Sequence, residues 1–151
     1  MIAIQQATSD DLDRLVPLFD GYRQFYRQPS DAPAARAFLL DRFKQSESVI
    51  FIATRDNDAV GFTQLYPSFS SIAMAPIYVL SDLFVAHHAR KQGIGRQLLE
   101  AAADFGRFVG ASYLMLETAK SNTTAQALYE ACGWLRDNEF YVYQITLTPT
   151  R

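Results

Sequence analysis

Across Arg90-Lys-Gln-Gly93-Ile-Gly95 the chain changes its hydrophobic period from that of a strand to that of a helix. Ile77-Tyr-Val-Leu-Ser-Asp-Leu-Phe-Val85, on one side, is rich in β-branched and aromatic residues, which suit a pleated surface. On the other side Ile94, Leu98, Ala101 or Ala102, Phe105 and Val109 recur at helical spacing up to Gly110. Glycines at the start of a helix let backbone amides turn toward one point, where the helix dipole adds positive potential. A pyrophosphate is the natural occupant, and Arg90, Lys91 and Arg96 add charge around it. A two-glycine turn also serves as a plain tight connection, so the local pattern leaves both readings open.

The rest of the chain reads as one domain over residues 1–151, without internal repeat, low-complexity tract or Gly/Ser linker. At this length the fold buries roughly 68–70% of the unfolded chain's surface, so a core forms without staples. The single cysteine, Cys132, excludes an internal disulfide framework and suits a reducing cytoplasm. No apolar run approaches the ~18 residues that span a membrane, and the first ten residues lack the pattern of a signal peptide. A net charge of −2 argues against a nucleic-acid binder. These features predict a cytoplasmic protein with no membrane or nucleic-acid partner and no bound metal.

Ile2 and Ile4 alternate with polar neighbours as a short strand, and Thr8, Ser9 and Asp10 offer N-cap oxygens. The helix that follows carries Leu12, Leu15, Val16, Phe19, Tyr22 and Tyr26 at helical spacing, with a kink or break expected at Pro17. Ser30 or Asp31 caps a second helix running to about Lys44, with Ala35, Leu39 and Phe43 on one face. Val49–Thr54 and Val60–Tyr66 flank Asp56-Asn57-Asp58 as a hairpin, while Ser68–Pro76 has no readable conformation. Tyr113–Glu117 reads as a buried strand, and Asn122 or Thr123 caps a helix that Gly133 stops. Phe140–Leu147 reads as a last strand. The order β-α-α-β-β-β-α-β-α-β describes an α/β, or α+β, domain with a mixed, mostly antiparallel sheet flanked by helices.

Two phosphate-binding alternatives fail on spacing. A Walker loop needs Gly-Lys-Ser/Thr where Gly95 is followed by Arg96-Gln97. A dinucleotide fingerprint needs a third glycine where Leu98 stands, and parallel units before Ile77 that the chain lacks. Arg-x-x-Gly-x-Gly after Asp82-Leu-Phe-Val85, with Asn122-Thr-Thr-Ala-Gln-Ala-Leu-Tyr129-Glu-Ala-Cys-Gly133-Trp downstream, resembles the GNAT superfamily of N-acetyltransferases. Leu65–Phe69 and Ser81–Val85 resemble its polyamine and histone acetyltransferase-like branch.

The resemblance implies acetyl-CoA as cofactor and a primary amine as acceptor, on a small molecule or a protein. Leu83, Phe84 and Val85 would offer backbone groups to the pantetheine arm. Gln92, Gly93, Ile94, Gly95 and Arg96 would donate amides to the pyrophosphate beside Arg90 and Lys91, and Asn122 and Ala125 would touch the cofactor. Tyr129 falls on the tyrosine that protonates the departing thiolate in many members; a phenol with pKa ~10 is well matched to that task. An alkylammonium with pKa ~10.4 must lose a proton before attacking, and Asp82 is the nearest carboxylate for that role. Strand alternation leaves open whether Asp82 faces the cleft. Polyamine-acetylating relatives carry Glu then Asp where this chain has Ser81 then Asp82, so this chain lacks the glutamate of that pair. Relatives also commonly carry a proline where His87 stands. A homodimer is compatible with the family.

Other residues have plainer readings alongside. His87 and His88 read as solvated loop residues, Cys132 as a small buried hydrophobe, and Glu117 as an anchor for the loop to Asn122. Asp20, Tyr22, Tyr26 and Asp31, with Ser81, are candidates for the acceptor side, where rings and carboxylates suit an amine. A solvated acidic face with core tyrosines explains the first four equally well. A non-catalytic acetyl-CoA-binding regulatory module is the alternative function.

Overall fold

The computed structural model describes residues 1–148. Five strands form one sheet in chain order: β1 (Ile2–Gln6), β2 (Val49–Arg55), β3 (Asp58–Ser70), β4 (Ala75–Val85) and β5 (Leu114–Met115). The first four pair antiparallel, and β5 lies parallel to β4 after a crossover through a helix. The helices are α1 (Leu12–Phe25), α2 (Ala32–Gln45), α3 (Ile94–Val109) and α4 (Thr123–Ala131).

Strand alternation divides the core into two layers. Ile50, Ile52 and Phe62 point to the face covered by α1 and α2, against Leu12, Leu15, Phe19, Ala35 and Leu39. Phe51, Ala53, Val60, Leu65 and Leu80 point to the other face, against Ile94, Leu98, Leu99 and Ala102 of α3. The apolar stripe read in the sequence of α3 is therefore its sheet contact.

Local signals act where side-chain oxygens meet free amides. Thr8 Oγ1 accepts from Asp10 N and Asp11 Oδ2 accepts from Thr8 N at 2.9 Å, a capping box on the 3-10 turn that leads into α1. Asp31, of the two candidates, caps α2 by accepting from Ala34 N, and Asn122 caps α4 by accepting from Ala125 N. Asp56 and Asn57 take positive φ of 52° and 71°, which turns β2 into β3 with the twist a hairpin needs.

The structure corrects several expectations. Of the kink or break expected at Pro17, the break does not occur: helix α1 runs through it, with Leu12, Leu15, Val16, Leu18 and Phe19 buried on both sides. Ser68–Pro76 continues the β3–β4 hairpin, Ser70 pairing with Ala75, so partner strands decide a conformation that composition left unread. The strand expected over Tyr113–Glu117 is neither that long nor buried: only Leu114 and Met115 pair with Tyr78 and Val79. Phe140–Leu147 forms no ladder, a two-residue β5 offering little edge to template it, and its apolar side chains are 65–91% exposed. Among the described residues no helix is long and apolar enough to cross a membrane.

Candidate active site

Pairing between β4 and β5 stops at Val79, so from Leu80 onward β4 has β3 on one edge and no strand on the other. Ala86 N donates to Val60 O at 2.8 Å, and Val85 O lies off the β3 ladder, accepting instead from Arg90 Nε at 2.9 Å. By alternation the backbone groups of Leu83 and Val85 face the open edge, while those of Phe84 face Phe62. Of the three expected backbone contacts, Phe84 is thus spent in the ladder. Its ring instead lies where a Cβ on Gly21 would come within 3.1 Å, and the Arg90 guanidinium sits 5.6 Å above it.

The loop after β4 bends through Lys91 (φ 64°) and Gly93 (φ 78°) into the N-terminus of α3. Gly93 caps the helix with no side-chain bond, so the first-turn amides of Ile94, Gly95 and Arg96 lack a side-chain partner there. A Cβ on Gly95 would meet Leu128 Cδ2 at 3.2 Å, so glycine is what lets α4 lie close to this turn. Arg55 Nη1 donates to Gln92 Oε1 at 2.7 Å and Arg96 pairs with Glu100 at 3.3 Å, both on the loop's surface. A cradle of free amides with positive charge around it and no Cβ crowding it fits a pyrophosphate. The open strand edge beside it fits an extended amide-bearing arm. The residues present therefore suit CoA.

At the other end of the opening lies a cavity of about 540 Å³, lined by Tyr22, Tyr26, Val79, Leu80, Ser81 and residues 115–119. Burial, and then the neighbouring Tyr26, holds the Tyr129 phenol above its ordinary value, hydrogen bonding with Thr118 pulling the other way. Tyr129 consequently keeps its proton at neutral pH. Its ring packs 6.2 Å from Trp134, which is tied back by Trp134 N donating to Tyr129 O.

Asp82 does not line the cavity. It is 3% exposed and accepts from Gln64 Nε2 at 2.6 Å across the β3–β4 ladder. Burial raises its carboxyl above the ordinary range, against hydrogen bonding from Gln64, Ser81 and Tyr22. The register slips beside it: Gln64 pairs with Asp82 and Leu65 with Leu80, which leaves Ser81 as a bulge facing the cavity. Tyr22 Oη donates to Ser81 O at 2.9 Å, and burial followed by the Asp82 charge pushes its phenol up. Tyr22 therefore stands between the buried carboxylate and the cavity.

The remaining candidates divide. Tyr22, Tyr26 and Ser81 line the cavity, but Asp31 is occupied in capping α2. Asp20 is buried, accepting from Ser30 Oγ at 2.6 Å and Asp31 N at 2.8 Å, which holds its carboxyl low and fastens the α1–α2 link. His87 and His88 are exposed on a 3-10 turn. Glu117, expected as a loop anchor, is exposed at the cavity, and Gln126 Nε2 anchors the loop instead through Ala119 O and Lys120 O at 3.0 Å. Sequence reading missed Gln64, Thr118 and the cavity role of Glu117. A carboxylate at a strand's C-terminal end was the available signal for Glu117; Gln64 had none, since its partner lies across the sheet.

Residues 14–134 match the acetyltransferase (GNAT) family. The chain is 49% identical over 140 residues to an uncharacterized N-acetyltransferase of Bacillus subtilis, covering 93% of this chain and 94% of that one. A crystal structure of a probable acetyltransferase superposes with a TM-score of 0.92 at 39% identity, covering 98% of this chain and 99% of the other. The fold is shared with an aminoglycoside N-acetyltransferase in complex with CoA, at a TM-score of 0.80, 22% identity and coverage of 96% and 95%. The chain belongs to the GNAT family and is an N-acetyltransferase.

Proposed function

We propose that the chain moves acetyl from acetyl-CoA directly to a primary amine held in the cavity between α1 and the β5 loop. The observation that carries this reading is an unpaired β4 edge that leads into a glycine turn with free amides, with the Tyr129 phenol beside Tyr26 and Thr118 of the cavity wall. Acetyl-CoA supplies an activated thioester. The amides of Ile94, Gly95 and Arg96, with Lys91 nearby, would hold the pyrophosphate, and the open backbone groups of Leu83 with the N–H of Val85 would hold the arm. The N–H of Val85 or Leu83 would steady negative charge on a carbonyl oxygen at that edge.

The acceptor's ammonium meets Glu117 and the faces of Tyr22 and Tyr26, a charge and cation–π environment suited to it. Asp82 takes the proton through the Tyr22 hydroxyl, its raised carboxyl bringing it nearer to the pH at which a base is effective. Tyr129 Oη would supply a proton to the departing thiolate. No side chain need become acylated. The test is release of free CoA thiol from acetyl-CoA by the purified protein against polyamines, amino acids, aminoglycosides and lysine peptides. Turnover with one of these groups names the acceptor class. Acetyl-CoA binding without turnover on any amine, in a protein whose Tyr129→Phe variant behaves identically, would sink the proposal and leave a binding module.

A further inference from the structure

Two neighbouring residues of β3 hold Asp82, one at its backbone and one at its side chain. Thr63 Oγ1 donates to Asp82 O at 2.8 Å, and Gln64 Nε2 donates to Asp82 Oδ2 at 2.6 Å. Both Thr63 and Gln64 are wholly buried. Gln64 is a poor choice for packing alone. Its Oε1 is buried and accepts no hydrogen bond among the described residues, whereas buried polar atoms are almost always partnered. An apolar side chain of similar length would leave no orphan acceptor there. What only the amide supplies is the donor to Asp82.

The surroundings of Asp82 give that donor its weight. No cation pairs with Asp82 among the described residues. The titratable groups facing it are Tyr22 of α1, with Tyr26 beside it, and Tyr66 of β3, on which Arg42 of α2 acts. Burial first, then the Asp82 charge, holds the Tyr22 and Tyr66 phenols neutral. Burial also presses Asp82 toward its acid form, so hydrogen bonds rather than charges must favour the carboxylate. The Tyr22 hydroxyl has a single proton, which goes to Ser81 O at 2.9 Å. The Gln64 amide is therefore the donor committed to the carboxyl group. Fixing Oδ2 also fixes the plane of that group, and so the direction in which its other oxygen is offered.

We infer that Gln64 is the positioning residue of the base, holding the buried Asp82 carboxylate in the form and orientation that draws a proton through Tyr22. The inference rests on the reading of Asp82 as the base. Gln64 does not line the cavity and acts only through Asp82. As the acceptor's ammonium gives a proton to Tyr22 Oη, the Tyr22 proton passes to Asp82. A neutral amine, a neutral phenol and a neutral carboxylic acid remain.

The experiment is an NMR titration of the full chain with isotope-labelled aspartate carboxyls and glutamine side-chain amides, the Asp82 signal being the one lost in Asp82→Asn. In the unmutated chain the Gln64 amide signals should shift with the same midpoint as Asp82. Gln64→Met should raise that midpoint by about one pH unit or more, at least tenfold in the dissociation constant, because a hydrogen bond to a charged group is removed. Gln64→Leu is the second variant, should Gln64→Met not fold. These readings need no acceptor. In thiol release from acetyl-CoA, with an amine that turns over, the acid limb of kcat/KM should move up by the same interval while KM for acetyl-CoA is unchanged. Gln64 amides that do not follow Asp82 overturn the inference. An Asp82 midpoint that neither variant moves overturns it while leaving Asp82 as the base. A midpoint that moves while the acid limb stays overturns both, because Asp82 then takes no part in the reaction.

Discussion

The four antiparallel strands and the chain beyond Ala111 follow the same binary patterning to different ends. In the first region both faces of the sheet are covered, and Ile52, Val60, Phe62 and Leu98 are wholly buried. In the second, β5 is two residues long, α4 buries nothing fully, and Leu135 and Phe140 stand in solvent. Alternation was present in both. What differs is the partner: β2 and β3 each have two neighbours, whereas β5 has one. Hydrophobic patterning states that a strand wants cover and says nothing of whose chain supplies it. The candidate cleft falls on the seam, with one wall from the first region and the other from the second.

The largest expected effect sharpens that contrast in stability. Phe62→Ala should cost about 3–5 kcal/mol in a denaturant titration, since a fully buried ring leaves a cavity between α1 and the sheet. Leu135→Ala, at a side chain 94% exposed, should change stability by no more than about 0.5 kcal/mol. Equal losses would mean that the second region is packed in solution.

Tyr129→Phe tests the seam itself. Loss of the proton donor should lower kcat about 100-fold or more while acetyl-CoA affinity changes little. An unaltered kcat removes Tyr129 as the acid. Gly95→Val, with Leu128 already 3.2 Å from where its Cβ would sit, should push α4 from the glycine turn and weaken acetyl-CoA binding about tenfold or more by calorimetry. Undiminished affinity would dissociate the loop from the cofactor.

The smallest effects lie in pH dependence, where two buried carboxylates on the same face act with opposite sign. Asp82 is held above its ordinary value, burial being the main cause, so the folded chain binds that proton more tightly than the unfolded one. Its contribution is full below the unfolded value of ~3.9 and is lost as pH rises through the folded value. Asp20 is held low, by Ser30 first, so its contribution is present above ~3.9 and is lost as pH falls through the folded value. Asp82→Asn should therefore flatten the decline in stability with rising pH, and Asp20→Asn the decline on acidification. Thermal melts across the acid range that show the same sign for both would contradict the two assignments.

Most elements were legible because their signals are local. Thr8, Asp31 and Asn122 cap with oxygens that reach amides two or three residues on, and Gly93 and Gly110 take the left-handed conformations their positions demand. The glycine turn into α3 was legible because its residues lie in one stretch of chain. Illegible parts had causes distant in sequence. Ser68–Pro76 became strand because two arms of a hairpin extend each other, and Gln64 joined the site because a bulge at Ser81 brings Asp82 opposite it.

By itself the sequence determined the periods, the caps and the helix starts, all set by steric and hydrogen-bonding preferences within a few residues. Only the tertiary structure decided that Asp82 is buried behind Tyr22, that Leu83 and Val85 rather than Phe84 face the open edge, and that Phe140–Leu147 is left uncovered. Those outcomes depend on which strand edges pair and which remain open. Edge pairing is a contest among distant segments, and no single segment contains its result.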